Sequence, residues 1–345
     1  MSMAQLVRTL RAAAVPVLTG TALAGLITLG ALPAEAATPH PALHVTGTVR
    51  LGPAGNAFVL NVGEAPDGAV YYSLGGRQVY VLRPGATRPA LAVTASSAVL
   101  AVAANSGELF VAAGRTVTGY SRTSGRAGRQ WHLPGFAPTE VGLYPVGRTV
   151  WAVTDWATDQ SGFEYASVDR FATTSGTVHT VSANNAYPGD AAANADGLYY
   201  ETVNRQGVNG YLVRVTPSGT LHRLTDVNLD APMALAGGRV TLLAVHSNDL
   251  PYLDSYSQVT LARSYSRRVS PHARDIAGTG AGLLLLTAPC QSAACSSATV
   301  SQLSTATGGT IASVKVPDAT TLVPGPAAYV ITFKRGVFYL VRLAA

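Results

Sequence analysis

The sequence predicts an all-β fold: a seven-bladed β-propeller with four-stranded antiparallel blades. Three observations carry that reading. Glycine recurs at Gly68, Gly107, Gly147, Gly197, Gly238, Gly282 and Gly325, about 43 residues apart on average, a period that marks propeller or solenoid arrays. Each glycine introduces an apolar run, a polar turn and a further strand-like run. The last repeat ends after residues 337–343 and lacks a fourth strand, while residues 43–51 precede the first strand expected of blade one, residues 58–62. The segment 43–51 is therefore expected to close the ring as the outer strand of the last blade, removing an open sheet edge.

The leader comes first. Arg8 and Arg11 precede an almost wholly apolar stretch over 12–32, then Pro33 and the small-residue site Ala34-Glu35-Ala36. Residues 1–36 read as a secretory signal peptide cleaved after Ala36, residues 37–42 as a short linker, and residues 43–345 as the propeller. The alternative is a retained leader that anchors the protein in a membrane, since about 20 apolar residues can span one. The expected location is secreted or extracytoplasmic.

The second repeat serves as the template. Residues 99–104 form an apolar strand and Asn105-Ser106-Gly107 a turn. Residues 108–113 form the second strand and 116–121 the third. Arg122-Thr123-Ser124-Gly125 is the next turn, and residues 129–133 are the fourth strand. The turn after the third strand recurs as Thr173-Thr174-Ser175-Gly176, Thr216-Pro217-Ser218-Gly219 and Thr305-Ala306-Thr307-Gly308, where glycine suits the positive φ of a tight hairpin. Second strands such as Val150-Trp151-Ala152-Val153 and Leu242-Leu243-Ala244-Val245 are apolar on both faces, as strands sandwiched between neighbouring blades must be.

Composition fits this architecture. Charged residues are 12% of the 345, and mean hydropathy is positive, so a core is readily buried. The net charge of +6 falls by one when the leader is removed. The remaining arginines are scattered, with no basic stripe interleaved with aromatics, which excludes a nucleic-acid reader. Lys315 and Lys334 are the only lysines. Cys290 and Cys295, separated by four residues between strand-like runs, are expected to form a disulfide outside the cytoplasm. They lack the nearby histidines of a zinc set.

The stretch Gly107-Glu-Leu-Phe-Val-Ala-Ala-Gly-Arg-Thr-Val-Thr-Gly-Tyr, followed by Thr123-Ser124-Gly125 and Trp131, resembles the YVTN and quinoprotein-like propeller repeats. The resemblance spans roughly residues 43–345 and implies a propeller, not one activity: the group includes surface-layer-associated proteins, ligand binders and dehydrogenases. Its quinone-dependent members typically have eight blades, tryptophan docking motifs and a vicinal disulfide. Seven repeats, three tryptophans and a non-vicinal cysteine pair argue against a bound quinone here.

Strand polarity places the loops after second and fourth strands on one face. There they are long and irregular, and variable loops on a rigid frame are where such folds place function. The candidate ligand-binding residues are Asp155, Trp156, Asp159 and Glu164 of blade three, Asn204 and Arg205 of blade four, and His246, Asn248, Asp249, Tyr252 and Asp254 of blade five. Asn184, Asn185, Tyr187 and Asp190, and Asp226, Asn228 and Asp230, are expected on the same face. Such a mixture of amides, carboxylates and aromatics suits a glycan, a peptide or another surface protein.

No resident cofactor is expected. Calcium is the alternative occupant of the oxygen-rich loops, although no Asp-x-Asp-x-Asp spacing occurs. His246 with Asp249 or Asp254 is a candidate acid/base pair. No Gly-x-Ser-x-Gly elbow, His-Glu-x-x-His helix or Walker loop is present, and the glycine-rich 278–282 segment reads as a turn between strands. The expectation is an exported, non-catalytic binding module. The alternatives are an extracytoplasmic lyase, hydrolase or oxidoreductase working at the central channel mouth, and a purely structural surface protein.

Overall fold

A computed structural model of the chain describes residues 42–54, 60–135, 138–156, 165–203, 210–227, 231–246, 249–290 and 295–344, with backbone alone at 156, 165–166, 183–189, 203 and 225–227. The compact unit that holds them is His40–Ala345. Every regular element among the described residues is a β-strand.

The first strand is β1 (His44–Pro53). Blade one is β2 (Asn61–Glu64), β3 (Val70–Ser73), β4 (Gln78–Leu82) and β5 (Ala90–Thr94). Blade two is β6 (Val99–Ala104), β7 (Glu108–Ala113), β8 (Thr116–Ser121) and β9 (Ala127–His132). Blade three is β10 (Glu140–Val146), β11 (Thr149–Trp156), β12 (Tyr165–Ala172) and the first half of β13 (Val178–Asn194). Blade four is the second half of β13 with β14 (Gly197–Val203), β15 (Gly210–Val215) and β16 (Leu221–Val227). Blade five is β17 (Met233–Ala236), β18 (Arg239–Val245), β19 (Pro251–Ser257) and β20 (Arg263–Arg268). Blade six is β21 (Ala273–Thr279), β22 (Gly282–Thr287), β23 (Thr299–Leu303) and β24 (Thr310–Lys315). Blade seven contributes β25 (Ala319–Val323), β26 (Ala328–Lys334) and β27 (Val337–Ala344).

The ring closes as the repeat count requires. β1 pairs antiparallel with β27, Val49 opposite Leu340 and Arg50 opposite Tyr339, so the sheet order is β1-β27-β26-β25. The Ala54 amide extends the ladder to the Gly336 carbonyl at 2.8 Å.

Seven hydrophobic clusters form among the described residues, one in each seam between blades. The second strands explain this. Alternate residues of a strand point to opposite sides, so Val150 and Ala152 pack towards blade two while Trp151 and Val153 pack towards blade four. The closure seam holds Leu51, Phe338 and Leu340 of blade seven against Val70 and Tyr72 of blade one. Polar bonds span other seams. The Trp131 indole, fully buried and stacked on Phe171 at 4.6 Å, donates to the Ser175 carbonyl at 2.7 Å.

Three boundaries differ from expectation. The inner strand of blade one is Asn61–Glu64 rather than 58–62, of which 58–59 lie outside the described residues. Residues 184–190, expected as an inter-blade loop, belong to the 17-residue β13, which serves two blades by shifting register as it passes from β12 to β14. Asp155, Tyr252 and Asp254, expected in loops, are strand residues: β11 runs to Trp156, and β19 begins at Pro251 opposite Val245.

Candidate functional site

Of the predicted site residues, the structure brings three together on blade five. Tyr252 and Asp254 lie two apart on β19 and share a face. His246 follows β18 and turns back over them through its amide bond to the Leu250 carbonyl at 3.1 Å. The imidazole stacks on the Tyr252 ring with centroids 4.0 Å apart, and Nε2 lies 2.7 Å from Asp254 Oδ2. A carboxylate oxygen accepts, so Nε2–H is the donor of this contact, and Nδ1 is the ring nitrogen that Asp254 does not use. The Asp254 side chain is 8% exposed and that of His246 28%, so the carboxylate anchors from below a ring that solvent reaches. Glu201 of blade four is buried against the same seam, where its Oε2 accepts the Ala231 amide at 3.1 Å.

The other candidates separate from this trio. Asp249 is exposed on the turn, with φ of 56°. Asp155 is half-buried on blade three, and its carbonyl accepts the Thr139 amide at 2.8 Å. Asp159, Glu164, Asn204, Arg205 and Asn248 lie outside the described residues, as do Asn228 and Asp230, and the Trp156 side chain is not described. Trp131 and Trp151 are core residues, as their strand positions suggest. Cys290 and Cys295 form the expected disulfide, with Cα atoms 5.4 Å apart. Among the described residues no group of three or more His, Cys, Asp and Glu side chains could hold a metal ion, and no helix is long and apolar enough to cross a membrane.

A second concave region is the central channel, a space of about 1000 Å³ lined by the inner strands. Small apolar residues such as Ala101, Ala103 and Ala191 form much of its wall. Carboxylates whose roles the sequence does not announce punctuate it. Asp275 accepts the Thr321 hydroxyl at 2.6 Å and the Leu322 amide at 2.7 Å, tying blade six to blade seven. Asp190 accepts the Met233 amide at 3.0 Å, tying blade four to blade five. Glu64 accepts the Ala327 amide at 2.9 Å, tying blade one to blade seven.

Loss of water around these groups raises all three. Asp190 is open to the channel yet ringed by protein, and it is pushed up to about 6 by desolvation, against the Met233 hydrogen bond and with help from the Asp275 charge. Burial pushes Glu64 up to about 7, opposed by the Ala327 amide and the Arg342 charge. Asp275 is raised by desolvation, which its three hydrogen bonds only partly offset. Tyr144 faces the same channel and is raised by burial and by the Asp190 charge.

These carboxylates spend their bonding on neighbouring blades, which is a structural use. Asp169 is bonded within its own blade: fully buried, it accepts Ser167 and Thr180 hydroxyls at 2.6 and 2.7 Å, and Thr154 in turn donates to Ser167, so β11, β12 and β13 of blade three are tied together. The glycine-rich 278–282 segment also serves the ring. A Cβ on Gly278 would lie 2.0 Å from the Leu235 carbonyl oxygen, so glycine there lets two inner strands approach.

No family model matches the chain, and no curated protein does. Among solved structures, the β-propeller domain of Cps50 (Swd1) from Myceliophteria thermophila is similar with a TM-score of 0.61 at 9% identity, covering 87% of this chain and 99% of that one. Hydrazine synthase from Kuenenia stuttgartiensis matches with a TM-score of 0.44 at 14% identity, over 57% of this chain and 64% of that one, so the match spans under two thirds of its length. The first likeness and the seven blades agree on architecture: the chain is a seven-bladed β-propeller.

Proposed function

We propose that the protein is an exported, non-catalytic binding module that uses the loop-rich face of its propeller, with a glycan or peptide segment of a surface partner as ligand. One observation carries this reading: the solvent-reached His246 ring, stacked at 4.0 Å on Tyr252 and fixed by Asp254. A rigid aromatic pair whose second imidazole nitrogen is not used by Asp254 offers a platform for an apolar sugar or side-chain face and one directed hydrogen bond. The disulfide supports an oxidising compartment. The repeat signature at 107–125 supports kinship with the YVTN-like group of propellers.

The test is a glycan and peptide array probed with the native protein and with His246→Ala and Tyr252→Ala. The reading expects at least one ligand that both variants lose. Binding that survives in both variants contradicts this site.

A second reading rests on the 2.7 Å His246–Asp254 contact, the geometry of a histidine held for acid/base work. It favours a hydrolase or lyase over an oxidoreductase. The trio does not line the central channel, so such chemistry belongs at the blade-five edge. Turnover of an array ligand, abolished in His246→Ala but with binding retained, selects this reading over the first.

A further inference from the structure

A cavity of about 490 Å³ lies between the outer strands of blades six and seven, apart from the His246 trio and the channel. Its position follows from the fold. Blades diverge from the central axis, so seams widen outward, and here β24 and β1 face each other across the gap. Lys315 ends β24, Asp318 lies in the link to blade seven, Lys334 ends β26, and Arg335 opens the turn to β27. Arg335 and Gly336 both have positive φ, 51° and 77°, the pattern of a two-residue hairpin turn that holds Arg335 at its tip and Lys334 beside it, opposite Val337.

The charge at this cavity is unusual for the chain. The sequence contains only two lysines, and both line it. Among the described residues neither lysine nor Arg335 belongs to an ion pair, and Asp318 is the one acid in the lining. The rest of the wall is largely apolar. Val337, Tyr339 and Val341 face the cavity from β27, and Val45 of β1, 42% exposed, adds to it. Three cations against one acid leave a net positive charge above an apolar wall; the charge attracts an anion, and the apolar area rewards one that carries a hydrophobic body. The volume falls within the range of small-molecule sites.

We propose that this inter-blade cavity binds a small amphipathic anion, an apolar body bearing a phosphate or carboxylate group, through Lys315, Lys334 and Arg335. The site is independent of the blade-five platform.

The two lysines make the test direct, because amine acetylation followed by mass spectrometry reads only this cavity and the chain's amino terminus. Hexyl phosphate is expected to slow acetylation of Lys315 and Lys334 together, roughly five-fold or more at saturation. Inorganic phosphate and hexanol at the same concentration are expected to protect far less. In Lys334→Gln, an exposed substitution that spares the fold, protection of Lys315 by hexyl phosphate is expected to fall. In His246→Ala it is expected to persist. Hexanoate in place of hexyl phosphate shows which anionic group the cations prefer. Absence of protection by both amphipathic anions, equal protection by inorganic phosphate, or full protection of Lys315 in Lys334→Gln would overturn the proposal.

Discussion

The Glu64 carboxylate accepts the Ala327 amide at 2.9 Å across 263 positions of chain, binding blade one to blade seven beside the point of ring closure. Its second oxygen is buried without a partner. Gly325 makes the approach feasible, since a Cβ there would lie 2.3 Å from that oxygen.

This arrangement makes stability depend on pH. Glu64 is raised from 4.5 to about 7 and Asp190 from 3.8 to about 6, both chiefly by desolvation. A carboxyl that holds its proton more tightly in the folded state stabilises the fold below its ordinary range, and that contribution is lost as pH rises through the folded value. Thermal unfolding temperature is therefore expected to fall between about pH 4.5 and 7. Glu64→Gln keeps an acceptor for Ala327 without the charge. At about pH 8 it should be more stable than the native protein by about 1 kcal/mol after solvent screening, or roughly 2 °C. Equal loss of stability in this variant at acid and alkaline pH would contradict the assignment.

Arg122 and Asp67 should respond unequally to substitution. Arg122 reaches from blade two to Asp67 at 2.6 Å, to the Asn105 and Ser106 carbonyls and to the Tyr71 hydroxyl, and lies 5.5 Å from the centre of the Tyr71 ring. Its side chain is 9% exposed, against 59% for Asp67. Arg122→Ala orphans several acceptors and is expected to cost about 2–3 kcal/mol. Asp67→Asn, at the exposed end, should cost less than about 1 kcal/mol. Denaturant unfolding of both variants checks the ratio.

The Cys290–Cys295 link should resist thiol labelling in the oxidised native protein, with two cysteines becoming reactive after reduction. It closes a short loop, so Cys290→Ala with Cys295→Ala should lower stability by only about 2 kcal/mol. A thiol labelled without reductant would refute the pairing.

His246 offers a spectroscopic check. With Asp254 as acceptor, the neutral ring should carry its proton on Nε2, visible in the nitrogen spectrum of the labelled protein. Asp254→Ala should redistribute the tautomers. A ring protonated on Nδ1 in the native protein would mean that Asp254 does not orient it.

Much of the fold was legible because propeller periodicity is written in local chemistry. Gly125, Gly219 and Gly308 do adopt positive φ in the turns that follow third strands, whereas Gly176 does not, and Trp151 is buried as a two-sided apolar strand requires. The closing role of β1 followed from one strand in excess at the start and one missing at the end. The continuous β13 was hidden, because Asn184, Asn185 and Pro188 carry turn chemistry that the register shifts of this strand accommodate. The stitching carboxylates were hidden too. Asp190 and Asp275 bond to backbone one blade away, and no local pattern in the sequence names a partner some 40 residues distant. The His246–Asp254 pair was half-legible: proximity in sequence offered Asp249 as well, and only the hairpin register chose between them.

The ring closed by the chain's own first strand supports every other relationship described above. Arg50 and Tyr339 are directly opposed between β1 and β27, within the Cα separation a disulfide spans. In Arg50→Cys with Tyr339→Cys, oxidation should link the two new cysteines within a single chain and raise the unfolding temperature, leaving the Cys290–Cys295 link intact. Two free thiols after oxidation, or a link formed only between separate molecules, would contradict the closure.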